Sequence, residues 1–153
     1  MQPKFNLWIE KDGVVVLSAW RVALLETIET CFPVTRRLLV FATTREKDIC
    51  GMLAQLLPRF DRVIVTRYEN NPRGVPPGEV AQIAAQLADT PLVLCATPAD
   101  AWREACRLAT PSELVCITGS FFIAAEIRAL VVGEHCRPTA LRVSPAYVRT
   151  DSG

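Results

Sequence analysis

Arg37-Leu-Leu-Val-Phe-Ala42 is the stretch of sequence that decides the fold. A short, continuous apolar run of this kind is typical of a strand that is buried on both faces of a parallel sheet. The residues after it place apolar side chains at helical spacing, namely Ile49, Met52, Leu53, Leu56 and Leu57. This stripe predicts an amphipathic helix, which Pro58 ends.

Thr43 lies three residues before Glu46, a spacing that predicts a capping box at the start of this helix. Lys47 and Asp48 would then occupy the first helical turn. Capping accounts for Thr43, Glu46 and Asp48, because hydroxyl and acidic side chains stabilise a helix N-terminus. It does not account for Lys47, whose positive charge is unfavourable at that end. Lys47 is therefore a candidate functional residue.

The alternation of strand and helix continues along the chain. Strands are predicted over the apolar runs at residues 13–17, 37–42, 62–66, 92–94 and 114–118. Helices are predicted over residues 23–31, after Thr43, from Pro76-Pro77 through Leu87, after an N-cap at Thr97, and over residues 121–130. This alternation predicts an α/β, three-layer Rossmann-like domain with a mostly parallel sheet and helices on both faces. We expect residues 1–153 to form one domain, with a core over about 13–130 and a tail over 131–153.

The composition is that of a globular protein without a membrane span or a nucleic-acid site. Half of the 153 residues are hydrophobic and the mean hydropathy is +0.23, yet no apolar run reaches the ~18 residues that a transmembrane helix needs. The N-terminus has no apolar leader segment, so a cytoplasmic location is expected. The 17 basic and 16 acidic residues are interspersed and give a net charge of +1, without the basic stripe of a nucleic-acid binder.

The six cysteines lack the Cys-x-x-Cys spacing of a structural zinc site, and His135 is the single histidine. Most of the cysteines lie in apolar segments, so we expect buried free thiols and no metal site. His135 has no evident nucleophilic partner and is expected at the surface.

Motifs for stand-alone catalysis are missing from the sequence. It holds no Gly-x-x-x-x-Gly-Lys-Ser/Thr phosphate loop, no Gly-x-Gly-x-x-Gly fingerprint and no Gly-x-Ser-x-Gly elbow. We therefore expect no complete catalytic site in this chain and assign no catalytic residue.

Four loops are predicted to leave the carboxyl ends of the strands, where ligands gather in folds of this kind. They span residues 17–22, 43–48, 66–77 and 119–120. The third is long for a compact domain and holds two arginines. In the fourth, Ser120 caps the last helix and presents an amide and a hydroxyl that suit a carboxylate or a phosphate. Each loop has an ordinary structural explanation, but their convergence on one edge predicts a shared site.

Three segments carry a family resemblance: Leu39-Val-Phe-Ala-Thr-Thr-Arg-Glu-Lys-Asp-Ile-Cys-Gly-Met-Leu53, Val63-Ile-Val-Thr-Arg-Tyr-Glu-Asn-Asn-Pro-Arg-Gly74 and Val115-Cys-Ile-Thr-Gly-Ser-Phe121. In order and spacing they resemble the C-terminal domain of folylpolyglutamate synthase/dihydrofolate synthase, in the Mur ligase superfamily. The resemblance covers roughly Gly13 to Leu130. It implies a Rossmann-like domain that closes over an ATP-binding domain.

The resemblance also implies an activity for a complete enzyme. Such ligases use ATP and magnesium to activate a folate or pteroate carboxylate as an acyl phosphate, which an amino acid such as L-glutamate attacks. The phosphate loop belongs to an ATP-binding portion that this sequence does not contain. That portion would be needed in cis or in trans, so no cofactor is expected on this chain alone.

Individual residues match the motifs of the family. Lys47 and Asp48 fall on its Lys-Asp motif, which the resemblance places on the ATP side. Residues 66–73 fall on its Thr-Arg…Asn-Pro-Arg loop, and Ser120 falls on a Thr-Gly-Ser serine that lies near the incoming glutamate. The resemblance thus implies substrate binding by Asn71, Arg73 and Ser120.

One motif of the family is degenerate here. After its first strand the family carries an Asp-Gly/Ala-Ala-His-Asn motif, whose Asp and His reach towards ATP and the reacting centre. This chain reads Val16-Leu-Ser-Ala-Trp-Arg-Val22, so the acid falls on Leu17 or Ser18 and the imidazole on Trp20 or Arg21. None of these side chains replaces a carboxylate or a proton-shuttling imidazole.

The leading hypothesis is a C-terminal domain of a folylpolyglutamate synthase-like, ATP-dependent amide ligase, inactive without its ATP-binding portion. The alternative is a stand-alone degenerate module for binding or regulation, for example a homodimer that uses the face its partner domain once covered. A weaker alternative is a flavodoxin-like or receiver-like domain. The apolar pair Val16-Leu17 counts against it, because no acidic cluster follows the first strand.

Overall fold

The computed structural model describes residues 8–11, 14–18, 26, 30, 36–110 and 112–133. In chain order the strands are β1 (Trp8–Lys11), β2 (Val14–Ser18), β3 (Arg37–Phe41), β4 (Arg62–Val65), β5 (Leu92–Leu94) and β6 (Leu114–Thr118). The helices are α1 (Ile49–Leu56), which continues into a 3₁₀ turn at Leu57–Arg59, α2 (Pro77–Leu87), α3 (Pro98–Leu108) and α4 (Phe121–Gly133).

The main sheet is parallel and has the strand order β5-β4-β3-β6. Its side chains alternate between two cores, because successive residues of a strand point to opposite faces. Leu39 and Phe41 lie in the core beneath α1 and α2, whereas Leu38 and Val40 lie in the core beneath α3 and α4. The predicted three-layer fold with helices on both faces is therefore confirmed.

The order of the strands creates a switch point between β3 and β6. From β3 the chain proceeds to β4 through α1 on one face, and β6 on the other side of β3 leads into α4 on the opposite face. The loops that follow β3 and β6 therefore separate and leave a crevice at the carboxyl edge. In open α/β sheets, ligands bind at such a crevice.

The apolar runs predict the four parallel strands to within one residue. The proline pair at the start of α2 is also as predicted, with Pro76 at the N-cap and Pro77 as the first helical residue. At α3 the Thr97 hydroxyl accepts the backbone N–H of Asp100 at 3.1 Å, so the predicted N-cap is confirmed. Helix α4 starts at Phe121 as predicted and extends to Gly133, three residues beyond the predicted end at Leu130.

The predicted start of α1 is wrong. The helix begins at Ile49, and its N-cap is Asp48, whose carboxylate accepts the backbone N–H of Gly51 at 2.9 Å. Lys47 and Asp48 therefore precede the helix instead of occupying its first turn. Thr43 is fully buried, and its hydroxyl has no hydrogen-bond partner among the described residues. An aspartate at residue 48 satisfies the first turn, which leaves residues 43–47 available for tertiary contacts.

The predicted place of the first strand is also wrong. Residues 14–17 of the predicted run do belong to a strand, but β2 pairs antiparallel with β1 in a separate two-stranded sheet. The loop at 17–22 therefore does not leave a strand of the parallel sheet. The sequence contains a signal for this pairing, because Asp-Gly between two strands favours a tight hairpin turn.

Parts of the predicted first helix and of the tail lie outside the described residues. Within the predicted helix at 23–31, Glu26 and Thr30 are helical, and the Thr30 hydroxyl donates to the Glu26 carbonyl at 2.8 Å. Residues 134–153, with His135, lie outside the described ranges.

The cysteines are less uniformly buried than expected. Cys95 and Cys116 are buried and Cys106 is half-buried, but Cys50 is exposed. It lies on the outer side of α1, one residue after the apolar position Ile49. Cys31 and Cys136 lie outside the described residues.

Two features are absent from the described ranges. No helix there combines the length and the apolar character that crossing a lipid bilayer requires. In the same ranges, no three side chains of His, Cys, Asp or Glu gather into a metal-binding group.

Candidate functional site

Two of the predicted loops are joined backbone to backbone. In the β3–α1 loop (residues 42–48), the Thr43 carbonyl accepts the N–H of Val75 at 3.0 Å. The N–H of Arg45 donates to the Arg73 carbonyl at 3.3 Å, and Thr44 forms an antiparallel bridge with Gly74. The β4–α2 loop (residues 66–76) is therefore held against the β3–α1 loop as a short two-stranded ribbon.

Lys47 connects this ribbon to the turn between β6 and α4. Its ammonium group donates to the Gly119 carbonyl at 2.8 Å, although the two residues are 72 positions apart in the sequence. The contact lies at the switch point, where the loops after β3 and β6 separate. This tertiary role explains a lysine in front of a helix, where helix capping alone does not.

The turn at Gly119 requires glycine. Its φ is +107°, a conformation that other residues rarely adopt. A Cβ atom there would overlap the Ala42 carbonyl oxygen and lie 2.8 Å from a ring carbon of Phe41. The tight turn directs the chain into α4, whose first turn Ser120 caps by accepting the N–H of Phe122 at 3.3 Å. The predicted capping role of Ser120 is confirmed, and Ser120 is 4% exposed.

Tyr68 fills the centre of the edge and was not predicted as a site residue. Its ring lies against that of Phe122, with centroids 5.4 Å apart, and against Gly74. Burial raises the pKa of Tyr68, and the neighbouring Ser120 and Thr44 side chains partly offset that rise. Tyr68 is 2% exposed, and its hydroxyl has no partner in hydrogen-bonding geometry among the described residues. A bulky aromatic within an otherwise polar loop is the signal that could have identified it.

Asn71 and Arg73 lie on one tight turn of the β4–α2 loop. The Asn71 side-chain oxygen accepts the N–H of Arg73 at 2.9 Å, and its carbonyl accepts the N–H of Gly74 at 3.3 Å. This Asx turn fixes the backbone and leaves the Arg73 guanidinium largely exposed, 3.7 Å from the Glu46 carboxylate. An exposed ion pair at that distance is weak, so the Arg73 side chain can take another anionic partner.

Glu126 of α4 was also missed from the sequence. Its two carboxylate oxygens accept the backbone N–H groups of Glu69 and Asn70, at 3.0 and 2.9 Å. The pair of bonds fastens the β4–α2 loop to the side of α4. Nothing in the local sequence pattern signals this contact, because the two segments are 56 to 57 residues apart.

The structure thus brings Lys47, Asn71, Arg73 and Ser120 to one edge of the sheet. Asp48 borders them, but its carboxylate is engaged in capping α1. Of the four positions that fall on the degenerate Asp-Gly/Ala-Ala-His-Asn motif, Leu17 and Ser18 are the last two residues of β2, and Trp20 and Arg21 lie outside the described residues. The edge offers the Arg73 guanidinium and the N-terminus of α4, which suit an anionic ligand.

A parallel sheet between two helical layers, with its polar loops at a switch point, defines a Rossmann-like α/β domain. The family follows from comparison with known proteins: the chain belongs to the Mur ligase, glutamate ligase domain family, whose model matches residues 22–121. This membership confirms the Mur ligase resemblance and decides against a flavodoxin-like or receiver-like domain. Comparison with curated protein sequences finds no match.

Several solved structures with the same fold are folylpolyglutamate synthases. The Mycobacterium tuberculosis enzyme complexed with ADP and AMPPCP is 26% identical with a TM-score of 0.65, covering 81% of this chain and 29% of that one. E. coli FolC in complex with ADP gives 23% identity and a TM-score of 0.63, over 72% of this chain and 26% of that one. The Thermotoga maritima enzyme is 22% identical with a TM-score of 0.61, and the match covers 86% of this chain and 31% of that one. The chain therefore spans about 30% of the length of these neighbours.

Proposed function

We propose that this chain is the C-terminal domain of a folylpolyglutamate synthase-like amide ligase. It would supply the amino-acid side of the reaction centre, where L-glutamate is added to a folate. The ATP-binding portion would be supplied in cis or in trans, and the chain alone would be inactive. Family membership and the similarity to ligases about three times its length support this division of labour.

The observation that carries the proposal is the meeting of three loops at one edge. Asn71 and Arg73 stand on a turn held against the β3–α1 loop, and Ser120 caps α4 across the switch point. L-Glutamate carries two carboxylates and an amine. A carboxylate is stabilised by a guanidinium and by the N-terminus of a helix, which are the groups that Arg73 and α4 provide.

The described residues do not form a complete ATP site. Structural neighbours are complexed with ADP and AMPPCP, and one from Yersinia pestis with AMPPNP and a manganese ion. In this chain the phosphate-loop motif is missing, the Asp48 carboxylate caps α1, and the Lys47 ammonium group is held by the Gly119 carbonyl. We therefore assign phosphate and magnesium binding to the ATP-binding portion, with Lys47 facing it from this domain.

A domain exchange tests the proposal. This chain replaces the matching C-terminal part of the M. tuberculosis folylpolyglutamate synthase, and ATP-dependent addition of L-glutamate to a folate is measured. We expect activity in the chimera and none in the chain alone. Ser120→Ala should lower kcat/KM for L-glutamate about ten-fold, since it removes one hydrogen-bonding group, whereas the exposed Ser112→Ala should change it little.

Two results would contradict the proposal. ATP turnover by the isolated chain would show that the site is complete without a partner. An inactive chimera that is folded and binds no L-glutamate would favour the alternative of a stand-alone binding or regulatory module. That alternative is supported by the missing acid and imidazole at 17–21, and it predicts a homodimer in light scattering.

A further inference from the structure

The first two turns of α4 contact three consecutive residues of the β4–α2 loop. Phe122 and Glu126 are four positions apart, so they lie on the same face of the helix. The Phe122 ring contacts Tyr68, and the Glu126 carboxylate accepts the N–H groups of Glu69 and Asn70. The helix therefore grips the loop immediately before Asn71.

The contact between Glu126 and the loop differs from an ordinary surface hydrogen bond. The Glu126 carboxylate accepts hydrogen bonds from two adjacent backbone N–H groups, at 3.0 and 2.9 Å. Hydrogen bonds to a carboxylate are stronger than those between neutral groups. Backbone donors also fix the path of the chain, whereas a bond between two side chains would fix only their tips. Glu126 therefore determines where the following turn, with Asn71 and Arg73, lies relative to Ser120.

We propose that Glu126 is a positioning residue for the amino-acid-binding edge. It does not contact the substrate itself. It holds the β4–α2 loop in a position where the Arg73 side chain and the N-terminus of α4 can bind the same ligand. The location of the loop rests on the geometry alone, whereas the consequence for the ligand rests on the proposed function.

Hydrogen exchange of the full chain tests the positioning directly. In Glu126→Ala, the amides of Glu69 and Asn70 should exchange about ten-fold faster, because both lose a charged acceptor. In Glu126→Gln one acceptor oxygen remains, so the increase should be smaller. Arg128→Ala is the control: Arg128 is exposed on the same helix, without a hydrogen bond or ion pair of its side chain among the described residues. The Val75 amide, bonded to Thr43, should keep its rate in all variants.

The exchange rates can overturn the proposal in two ways. Unchanged rates at Glu69 and Asn70 in Glu126→Ala would show that the carboxylate does not hold the loop. Equal acceleration at Val75 would show a general loss of stability instead of a local release.

Calorimetry with L-glutamate separates this proposal from the proposed function. If the wild-type chain binds L-glutamate, Glu126→Ala should weaken the affinity about ten-fold while Arg128→Ala does not. Equal affinity in Glu126→Ala would overturn the positioning role. If the loop amides are released as expected but wild type binds no L-glutamate, the positioning of the loop stands and the proposed ligand fails.

Discussion

The turn between β6 and α4 concentrates several demands on one residue. Gly119 must adopt a positive φ, leave room for the Ala42 carbonyl, and offer its own carbonyl to Lys47. Only a residue without a Cβ meets the first two demands at once. The third makes the backbone at residue 119 part of the contact between the loops.

Gly119→Ala is expected to lower the free energy of unfolding by about 2–3 kcal/mol, because the methyl group meets backbone and ring atoms and the φ is strained. The control is Gly78→Ala in the first turn of α2, where an added Cβ has nothing within 4 Å. That change should be neutral or stabilising by up to about 1 kcal/mol. Urea denaturation measures both, and equal effects of the two substitutions would contradict the assigned strain.

Cys116 predicts a specific loss of stability at alkaline pH. Burial raises the pKa of this thiol from its ordinary value of 9.0 to about 12. Below about pH 9 the thiol is protonated in both states and contributes no pH dependence. Above it, the unfolded chain releases a proton that the folded chain keeps, so stability falls as pH rises, by up to about 1.4 kcal/mol per pH unit.

The variant Cys116→Ala should remove this component. Between about pH 8 and about pH 10.5, the free energy of unfolding measured by urea denaturation should fall by about 1–2 kcal/mol less in this variant than in wild type. Cys50→Ala, at an exposed thiol, should retain the wild-type pH dependence. A Cys116→Ala variant with an unaltered alkaline slope would mean that this thiol titrates normally.

Among the elements, α1 shows how a cap and a functional motif compete for the same residue. Asp48 was expected from the resemblance on the ATP side, yet its carboxylate accepts the N–H of Gly51 and starts the helix. The adjacent Lys47 is thereby placed just before the helix, pointing to Gly119. In this chain the Asp48 carboxylate caps α1, and any further function of Asp48 would have to be compatible with that cap.

Asp48→Ala should therefore cost about 1 kcal/mol of stability through loss of the N-cap. Asp48→Asn should retain most of that amount, because an asparagine side-chain oxygen caps a helix nearly as well. Equilibrium unfolding compares the two variants directly. If Asp48→Asn is as unstable as Asp48→Ala, the negative charge matters rather than the cap.

For the whole molecule, the strand order predicts where stability is concentrated. Strands β3 and β4 are central, and their residues Leu39–Phe41 and Val63–Val65 are fully buried. Strand β5 is an edge with only three residues, and its Leu94 is 52% exposed. To unfold, β3 and β4 must each lose their pairing with two neighbouring strands, whereas β5 can detach by losing its pairing with β4 alone.

Native-state hydrogen exchange should accordingly find the slowest amides in β3 and β4. The ladder amides of β5 should exchange at least about ten-fold faster, through local opening. Amides of β5 that exchange as slowly as those of β3 would indicate that the edge strand opens only with the whole domain.

The sequence predicts the elements well and the site in part. The apolar runs at 37–42, 62–66 and 114–118 locate strands to within one residue, since burial on both faces leaves an unbroken apolar signal. Parallel strands then require that their loops share an edge, so the meeting of residues 43–48, 66–77 and 119–120 was predictable. Glu126 was not, because its partners Glu69 and Asn70 are 56 to 57 residues away and carry no periodic pattern. Tyr68 is signalled only by its aromatic side chain in a polar loop.

Local chemistry alone could not choose between two possible starts of α1. Thr43 and Asp48 are both good N-cap residues, and the bridge between Thr44 and Gly74 decides for Asp48 by drawing the preceding residues into another contact. The predicted place of β2 was wrong for a similar reason, since a β-branched run by itself fits a parallel or an antiparallel neighbour equally well.

The sequence by itself thus determined the class of fold, through the alternation of buried strands with amphipathic helices, and the absence of a phosphate loop. The tertiary structure decided that Lys47 reaches Gly119, that Asp48 caps α1 and that Glu126 holds the β4–α2 loop. The physical reason is range. Periodicity and capping act over a few neighbouring residues, whereas contacts between loops depend on which strands lie side by side, and only burial of the complete sheet settles that order.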